Sequence, residues 1–520
     1  MLFNALSLVL FVNCRHFNSL TALSPKIKNI VLAKELNGKD MFMSFNNNTT
    51  FAERIYSEKQ NVCAIILAAG EGKRMKSNKP KAMMEVLFKP MLGWVIDAVR
   101  NAGINDICVV TGHLEEMIKD YLSKNYTGDK SCSTVTQTER KGTGHAVMMA
   151  KDFLEAHKDG SVLILNGDAP FMDSKNIANS YFFHSAQSNC VTVISAMLED
   201  ASGYGRIIRD ADGRLLSIVE HKEATLDQLA VKEVNSGAYW FNVNALLSVL
   251  DTEHIKCSSV TGEYYLPDTV KLLGDAADAY TADSASVVMG ANDPVQLTEL
   301  NHLARIGILG GMIAEGVSIP CSDGVIIGPD AVVGSGTVIL PGTILRGRVS
   351  VGNNCTLGPN SLIENSIVHD NVIINSSQIK QSEILEGTDI GPFSQVRPNC
   401  KIGPRVHIGD FVEVKNSVLD EGTKVAHLTY VGDSDIGKRV NFGCGCVTVN
   451  YDGQHKARCK VGDNAFIGCN TNLVAPVQIG DGAYTAAGST ITGDVPSDSL
   501  GIARARQVNK DGWAATKRGK

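Results

Sequence analysis

The chain has 520 residues, too many for one hydrophobic core, so two or more domains are expected. With 44% hydrophobic and 20% charged residues it reads as globular, and a net charge of −6 implies no general affinity for nucleic acid. The 13 cysteines are scattered without CxxC metal spacing and follow no convincing secretion signal, so reduced thiols and a cytoplasmic protein are expected.

Residues 1–60 differ in character from the rest. The apolar run Leu6 to Val12 is too short to span a bilayer, and no Lys or Arg precedes it as in a signal peptide. A polar, Asn-rich segment follows at Asn46 to Thr50. The expectation is a disordered extension, or an upstream start codon with the true start near Met41 or Met43; a targeting peptide is the lesser alternative.

From Val62 strands and helices alternate. Val62 to Leu67 reads as a buried strand, and Met91 to Ala102 as an amphipathic helix stopped by Gly103. Ile107 to Thr111 reads as a strand, Leu114 to Leu122 as a helix, Gly144 to His157 as a helix and Val162 to Leu165 as a strand. Ile177 to Gln187 is a further helix before strand Val191 to Met197. This alternation predicts a mostly parallel sheet covered on both faces, with ligands at the carboxyl ends of its strands. Gly203 to Phe241 reads as shorter, more antiparallel strands, as in an inserted substrate-binding subdomain. Pro294 to Glu315 reads as one long spacer helix.

The first strand empties into Ala68-Ala69-Gly70-Glu71-Gly72-Lys73-Arg74, with Lys81 seven residues on. Small residues let backbone N–H groups approach a polyphosphate, and the cations neutralise it. The Walker ending and the dinucleotide GxGxxG are both absent. Asp168 closes strand Val162 to Leu165 in Asn166-Gly167-Asp168, where it could hold a metal or simply cap a turn.

The second half is organised by a six-residue ladder. Ile327, Val333, Ile339, Leu345, Val351, Leu357 and Ile363 recur at that interval, as do Ile390, Val396, Ile402, Ile408 and Val414. It returns as Val461, Ile467, Leu473, Ile479, Thr485 and Ile491. One buried aliphatic per short repeat, followed by a turn former, predicts a parallel β-helix beginning near Asp323, since no rung can bury its own core. Such coils suit trimers with sites between neighbours. From Gly501 the tail carries six cations and one acid, which reads as an arm over ligand phosphates at Arg504 and as a solvated tail beyond Trp513.

The stretch Leu67 to Lys81 resembles the sugar-nucleotide transferase motif LAAGxGxRMxxxxPK at every specified position. Further segments narrow the resemblance: Gly142-Thr143-Gly144-His145-Ala146, Gly203-Tyr204-Gly205-Arg206, Glu233-Val234-Asn235-Ser236-Gly237, and His427-Leu428-Thr429-Tyr430-Val431-Gly432-Asp433. From about Cys63 to Trp513 the chain is similar to the bacterial-type family that joins N-acetylglucosamine-1-phosphate uridyltransferase to glucosamine-1-phosphate N-acetyltransferase. The resemblance implies an α/β plus all-β protein: a Rossmann-like nucleotidyltransferase domain followed by a left-handed parallel β-helix of hexapeptide repeats. The expected parts are an extension (1–60), the nucleotidyltransferase domain (61–293), a helical linker (294–322), the coil domain (323–500) and a basic tail (501–520).

By the same resemblance, Asp168 and Asn292 would hold Mg²⁺, and Arg74 and Lys81 would face the phosphates of UTP beside Leu67, Ala68, Ala69 and Gly70. Gln137, Gly142 and Thr143 would face the uracil, Asn166 and Gly167 would line the site, and Gly205, Glu220 and Asn235 would hold the amino sugar. His427 would be the general base of acetyl transfer, since an attacking amine must be neutral and His titrates near pH 7. It is expected in a stretch that breaks the six-residue rhythm. Arg397 and Lys415 would hold the sugar phosphate, and Tyr430, Asn441, Asn450 and Tyr451 would position sugar and acetyl group. Acetyl-CoA would run along Cys444, Cys469, Ala487 and Arg504. The implied assembly is a homotrimer through the coil, acting on small molecules, with no nucleic acid and no membrane. Read without the resemblance, Asn292 would be a helix N-cap, and Arg397 and Lys415 solvated surface cations.

Three departures from the family pattern stand in the first half: Lys73 for Thr, Phe88 for Gly, and Asn166 for an aromatic or hydrophobic residue. In the coil the family's Gly-Ala-Gly-Thr is Gly443-Cys444-Gly445-Cys446, and Cys469 replaces a common Ser. A pyrophosphorylase with an inert coil and a non-catalytic assembly subunit are the rival readings; the retained Arg397, Lys415, His427 and Tyr430 speak against the first, and Arg74, Lys81, Asp168 and Asn292 against the second.

Overall fold

The computed structural model describes residues 61–259 and 261–519; the expectations for residues 1–60 lie outside them. In the first half, one sheet runs Ala277–Thr281, Val191–Met197, Glu233–Asn242, Ser161–Asn166, Val62–Leu67, Asp106–Thr111, Ser133–Thr136. Neighbours in this row are parallel except along Glu233–Asn242, which is antiparallel to both flanking strands. The central strand Val62–Leu67 buries both faces: Ala64 and Ile66 pack one way with helix Met91–Asn101, Cys63 and Ile65 the other way with helix Thr143–Met149. That two-sided burial is why it reads as a continuous apolar run.

Two expectations change here. The helix expected at Gly144 to His157 is two helices, Thr143–Met149 and Lys151–Ala156, meeting at Ala150. The antiparallel segment is also divided. Strands Arg206–Arg209 and Leu215–Val219 form a hairpin off the sheet, whereas Glu233–Asn242 is a ten-residue member of the sheet itself. Its register against Val191–Met197 shifts between Asn235 and Ala238, and this bulge lets Asn235 keep company with the hairpin.

Helix Pro294–Ala314, capped by the Asp293 side chain accepting from Gln296 N–H, leads into the coil. The coil is a three-sided parallel β-helix whose faces are sheets of 10, 9 and 10 strands. Every residue of the three ladders is buried, from Ile327 to Ile491. Between the ladders the steps shorten to five residues, at Val368, Ile379, Ile384, Leu419 and Ile436, all equally buried. The corners absorb the change. Many use Asn with positive φ (Asn354, Asn360, Asn365, Asn371, Asn399, Asn416), the residue that best tolerates left-handed backbone after glycine. The first strand is Ile326–Ile327, and pairing starts earlier, with a bridge from Ser318 to Val338.

The halves meet at a two-residue hairpin turn. Leu87 and Phe88 both have positive φ (47° and 69°) between the paired strands Glu85–Val86 and Lys89–Pro90. This is the turn geometry that ordinarily calls for glycine. The Phe88 ring lies 5.4 Å from the Arg346 guanidinium of the coil, and Lys89 reaches Asp330 at 2.6 Å. Phe88 in place of Gly thus occupies a strained turn and docks the coil.

Candidate active sites

The first strand ends at a cleft of about 590 Å³ lined by Leu67, Ala68, Ala69, Gly70, Lys81, Gln137, Gly142, Thr143, Asn166 and Asp168. Local sequence builds it by close approach. Gly72 has φ 65°, and a Cβ there would lie 2.8 Å from Lys81 Cβ, so the glycine lets the Lys81 turn fold over the loop. Gly142 does the same on the far wall: a Cβ would meet Tyr264 O at 2.5 Å. Segment 262–266 is laced to that wall by Gly144 N–H to Tyr264 O (2.8 Å) and Leu266 N–H to Thr143 Oγ1 (3.1 Å). The Gln137 amide donates to Gly142 O at 3.1 Å. Gly167 anchors the next turn, its N–H donating to Leu67 O at 2.9 Å.

Lys81 is the centre of charge in this cleft. Its ammonium donates to Asn292 Oδ1 at 2.7 Å and pairs with the Asp168 carboxylate. A carboxylate and an amide oxygen therefore converge on one cation, the donor types a hard divalent ion takes while keeping its waters.

A second cleft, of about 1040 Å³, shares Lys73, Glu263 and Tyr265 with the first and holds Arg74, Glu220 and Asn292. A Cβ on Gly205 would sit 3.4 Å from Glu220 Oε1 and 3.7 Å from Asn235 Cβ, so these three share one patch. Burial, then the charges of Glu223, Asp268 and Glu263, push the Glu220 carboxyl up. Arg74 opens into this second cleft rather than the first, while Lys73 pairs with Glu71 at 3.6 Å, and Glu71 with Arg140 at 2.7 Å. That Glu71–Arg140 bridge across the mouth was missed in the sequence; its partners lie 69 residues apart, with no pattern to join them.

In the coil, His427 closes strand Lys424–His427, and its Nδ1 lies 2.9 Å from Asp410 Oδ1. The hydrogen bond from His427, and the backbone, hold the Asp410 carboxyl below the usual range. An ionised Asp410 accepting from Nδ1–H leaves Nε2 as a lone-pair acceptor. Asp410 was also missed, although it stands opposite His427 on the preceding coil. His427 does not sit where the rhythm breaks: the step from Val425 to Val431 is a regular six. The break is the loop after Thr448, a small hairpin with Tyr451 bridged to Lys456, which delays the next rung to Val461.

Arg397, Lys415 and Tyr430 lie on one face of the coil. Arg397 pairs with Glu413 at 2.7 Å, and Glu413 registers against Tyr430. Lys415 lies 3.8 Å from Asp433, a buried carboxylate that also receives the side-chain amides of Asn416 and Asn450. Burial alone would raise Asp433, but these amides and Lys415 outweigh it and hold it low. Tyr451 is exposed on the loop, its hydroxyl donating to Gly453 O at 2.6 Å. Asn441 lies on the face beyond the His427 corner, between Lys424 and Phe466.

Strand register stacks the remaining residues. Val425 pairs with Phe442 and Phe442 with Ile467, which sets His427 beside Cys444 and Cys444 beside Cys469. Ile467 pairs with Thr485, bringing Ala487 beside Cys469. Arg504 ends the column, its side chain approaching Gly488.

Comparison with known proteins matches a nucleotidyl transferase model over residues 63–277, a six-repeat bacterial transferase hexapeptide model over 330–365 and 458–493, and a GlmU-like C-terminal hexapeptide model over 358–443. The bifunctional protein GlmU of Acetivibrio thermocellus is 45% identical over 457 residues, 87% of this chain and 97% of that one. The chain belongs to the bifunctional GlmU family. It is also similar to the bifunctional GlmU proteins of Thermoanaerobacter pseudethanolicus (45% identity, 87% of this chain and 98% of that one) and Clostridium botulinum (44%, 87% and 97%). A nucleotidyltransferase unit is followed by a left-handed hexapeptide β-helix of the acyltransferase kind. No helix among the described residues is long and apolar enough to cross a membrane.

Proposed function

We propose that the chain makes UDP-N-acetylglucosamine in two steps at two sites. The coil transfers the acetyl group of acetyl-CoA to glucosamine-1-phosphate, and the α/β half joins the product to UTP with release of pyrophosphate. The observation that carries this reading is the Asp410–His427 pair at the head of a column of small residues, in the same chain as the Lys81–Asp168–Asn292 cluster.

In acetyl transfer, His427 Nε2 takes the proton as the amine attacks the thioester carbon, the C–S bond breaks, and CoA leaves as its thiol with that proton; Asp410 holds the ring in the accepting tautomer and steadies the imidazolium. Such a base contributes roughly 10²–10⁴-fold. Arg397 and Lys415 hold the sugar phosphate; Tyr430, Asn441, Asn450 and Tyr451 orient sugar and acetyl group; Cys444, Cys469, Ala487 and Arg504 line the path of CoA. In uridylyl transfer a sugar-phosphate oxygen displaces pyrophosphate from the α-phosphorus, so the protein's task is positioning and charge neutralisation. Leu67, Ala68, Ala69, Gly70 and Lys81 serve the phosphates from the first cleft, and Arg74 serves them from the second. Gln137, Gly142 and Thr143 face the base, Asn166 and Gly167 line the site, and Gly205, Glu220 and Asn235 hold the sugar. Asp168 and Asn292 would hold Mg²⁺, which when bound neutralises phosphate charge.

The working assembly is a homotrimer through the coil, in the cytoplasm. Its support is an exposed stripe on three successive corners: Phe393 (62% exposed), Phe411 (56%) and Leu428 (58%), the two rings stacked at 5.6 Å, with Phe411 next to Asp410 and Leu428 next to His427 in the chain. The domain limits at 61–293, 294–322, 323–500 and 501–520 are part of this proposal. The test is a pair of assays on purified protein: pyrophosphate release from UTP and N-acetylglucosamine-1-phosphate with Mg²⁺, and free CoA thiol from acetyl-CoA and glucosamine-1-phosphate. Both signals are expected. Pyrophosphate alone would reduce the coil to a scaffold.

A further inference from the structure

The column beside His427 carries two thiols on consecutive coils. Gly443 N–H donates to Ile467 O at 2.7 Å and Asn470 N–H to Cys444 O at 2.8 Å, which locks Cys444 and Cys469 as ladder neighbours. Neighbouring strands lie about 4.8 Å apart, inside the range of about 4.4–6.8 Å that Cα atoms take across a disulfide. Side chains in register on parallel strands leave the sheet on the same side. Cys469 Sγ leans towards the Cys444 coil: a Cβ on Gly443 would lie 2.9 Å from it, so the absence of a side chain there makes the room. Cys469 is exposed and Cys444 half-buried, so small reagents can reach them. The third thiol of the group, Cys446, is set apart. It is buried, its thiol donates to Gly468 O at 3.1 Å, and burial pushes it up to about 11.

We propose that Cys444 and Cys469 are a redox modification site, closing a reversible disulfide between two coils that shuts off acetyl transfer and leaves uridylyl transfer intact. The oxidant is a small disulfide of the glutathione type. One protein thiolate attacks a sulfur of the oxidant, the oxidant's S–S bond breaks, and one reduced thiol departs. The second protein thiolate then attacks the protein sulfur of the mixed disulfide and expels the other reduced thiol. The protein loses two protons and two electrons; the oxidant gains both. The ladder sets the two Cα atoms within the span of a disulfide, and closing the bond needs a small inward tilt of the two side chains, since Cβ atoms across a disulfide lie about 3.5–4.5 Å apart. The bond bears on catalysis through its neighbours: Gly445 N–H, one residue past Cys444, is directed at His427 O at 3.4 Å. The loss of activity rests on the reading that the acetyl donor passes over this column.

The test treats the full-length protein with oxidised glutathione, maps its peptides without reduction and assays both reactions. The expected result is a cross-linked Cys444–Cys469 peptide pair two hydrogens lighter than the free thiols, loss of acetyl transfer that dithiothreitol reverses, and unchanged pyrophosphate release. In Cys444→Ser and in Cys469→Ser the ratio of oxidised to reduced acetyl transfer should stay near unity, whatever each variant's own rate. Glutathione adducts without the cross-link would overturn the proposal, as would a cross-link that leaves acetyl transfer unchanged. Absence of acetyl transfer in the fully reduced protein would instead overturn the underlying assignment of the coil's activity.

Discussion

The two halves assemble their sites by opposite means. In the α/β half, Lys81 reaches Asn292 across 211 residues of sequence, and Asp168 joins them from the end of a different strand. In the coil, Asp410 and His427 are 17 residues apart, one turn of the helix, and the column continues through Cys444 and Cys469 on the next turns. A doubly covered sheet makes its site where strand ends converge, so each residue arrives from a separate excursion. A solenoid makes its site by counting, so one residue predicts its neighbour a coil away. The first kind of site is sensitive to turns and glycines, the second to register.

Changes at the two cation centres sharpen this contrast most. Lys81→Ala removes the charge on which Asp168 and Asn292 converge. Pyrophosphate release should fall by roughly 10²–10³-fold, as for other donors aimed at developing charge, with acetyl transfer unaltered. Steady-state kinetics of both reactions on one preparation checks this. Asp410→Asn keeps the shape of the coil but stops ordering the His427 tautomer. Acetyl transfer should fall on the order of 10²-fold, the cost typical of a misplaced catalytic group. The rising limb of its pH profile should also shift, which a merely structural role for Asp410 would not produce.

Two smaller effects probe stability rather than chemistry. His184, packed against Trp240 with Nδ1 3.0 Å from Thr192 Oγ1, is pushed by burial from 6.5 down to about 4. It is neutral when folded but takes a proton when unfolded below about pH 6.5. Stability of the α/β half should therefore decline as pH falls from about 6.5 to about 4. Denaturant unfolding followed by tryptophan fluorescence, to which Trp94 and Trp240 of this half contribute, should show this slope, flattened in His184→Gln. Phe88→Gly sets two terms against each other: relief of left-handed strain, about 1–2 kcal/mol, and loss of the Arg346 contact, about 0.5–1 kcal/mol. The net change in unfolding free energy should lie between about 0 and about 1.5 kcal/mol in favour of the glycine variant. A loss above about 2 kcal/mol would mean that Phe88 holds the halves together.

The sequence was uneven in what it disclosed. The coil was legible because each ladder position must be aliphatic and its spacing is fixed; all of them are buried. The five-residue steps escaped because their corners, at Asn365, Ser376, Gln381, Asn416 and Asp433, take positive φ just as many six-residue corners do and leave the buried residue unchanged. The phosphate loop was legible through a long motif, yet the separation of Arg74 and Lys81 into different clefts was not. It follows from the left-handed turns at Gly72 and Lys76, which send the two side chains apart. Asp410 escaped because an Asp at a coil corner looks like any turn former until register sets it opposite His427. Phe88 stood out as a departure from the family pattern, but its docking onto Arg346 depends on the two halves packing together.

The most direct test of two independent sites is to assay both reactions in His427→Ala and in Asp168→Ala, with trimer content and circular dichroism as controls. Acetyl transfer should be lost and pyrophosphate release kept in the first variant, and the reverse should hold in the second. Loss of both reactions in either variant, from protein that remains folded and assembled, would contradict the account.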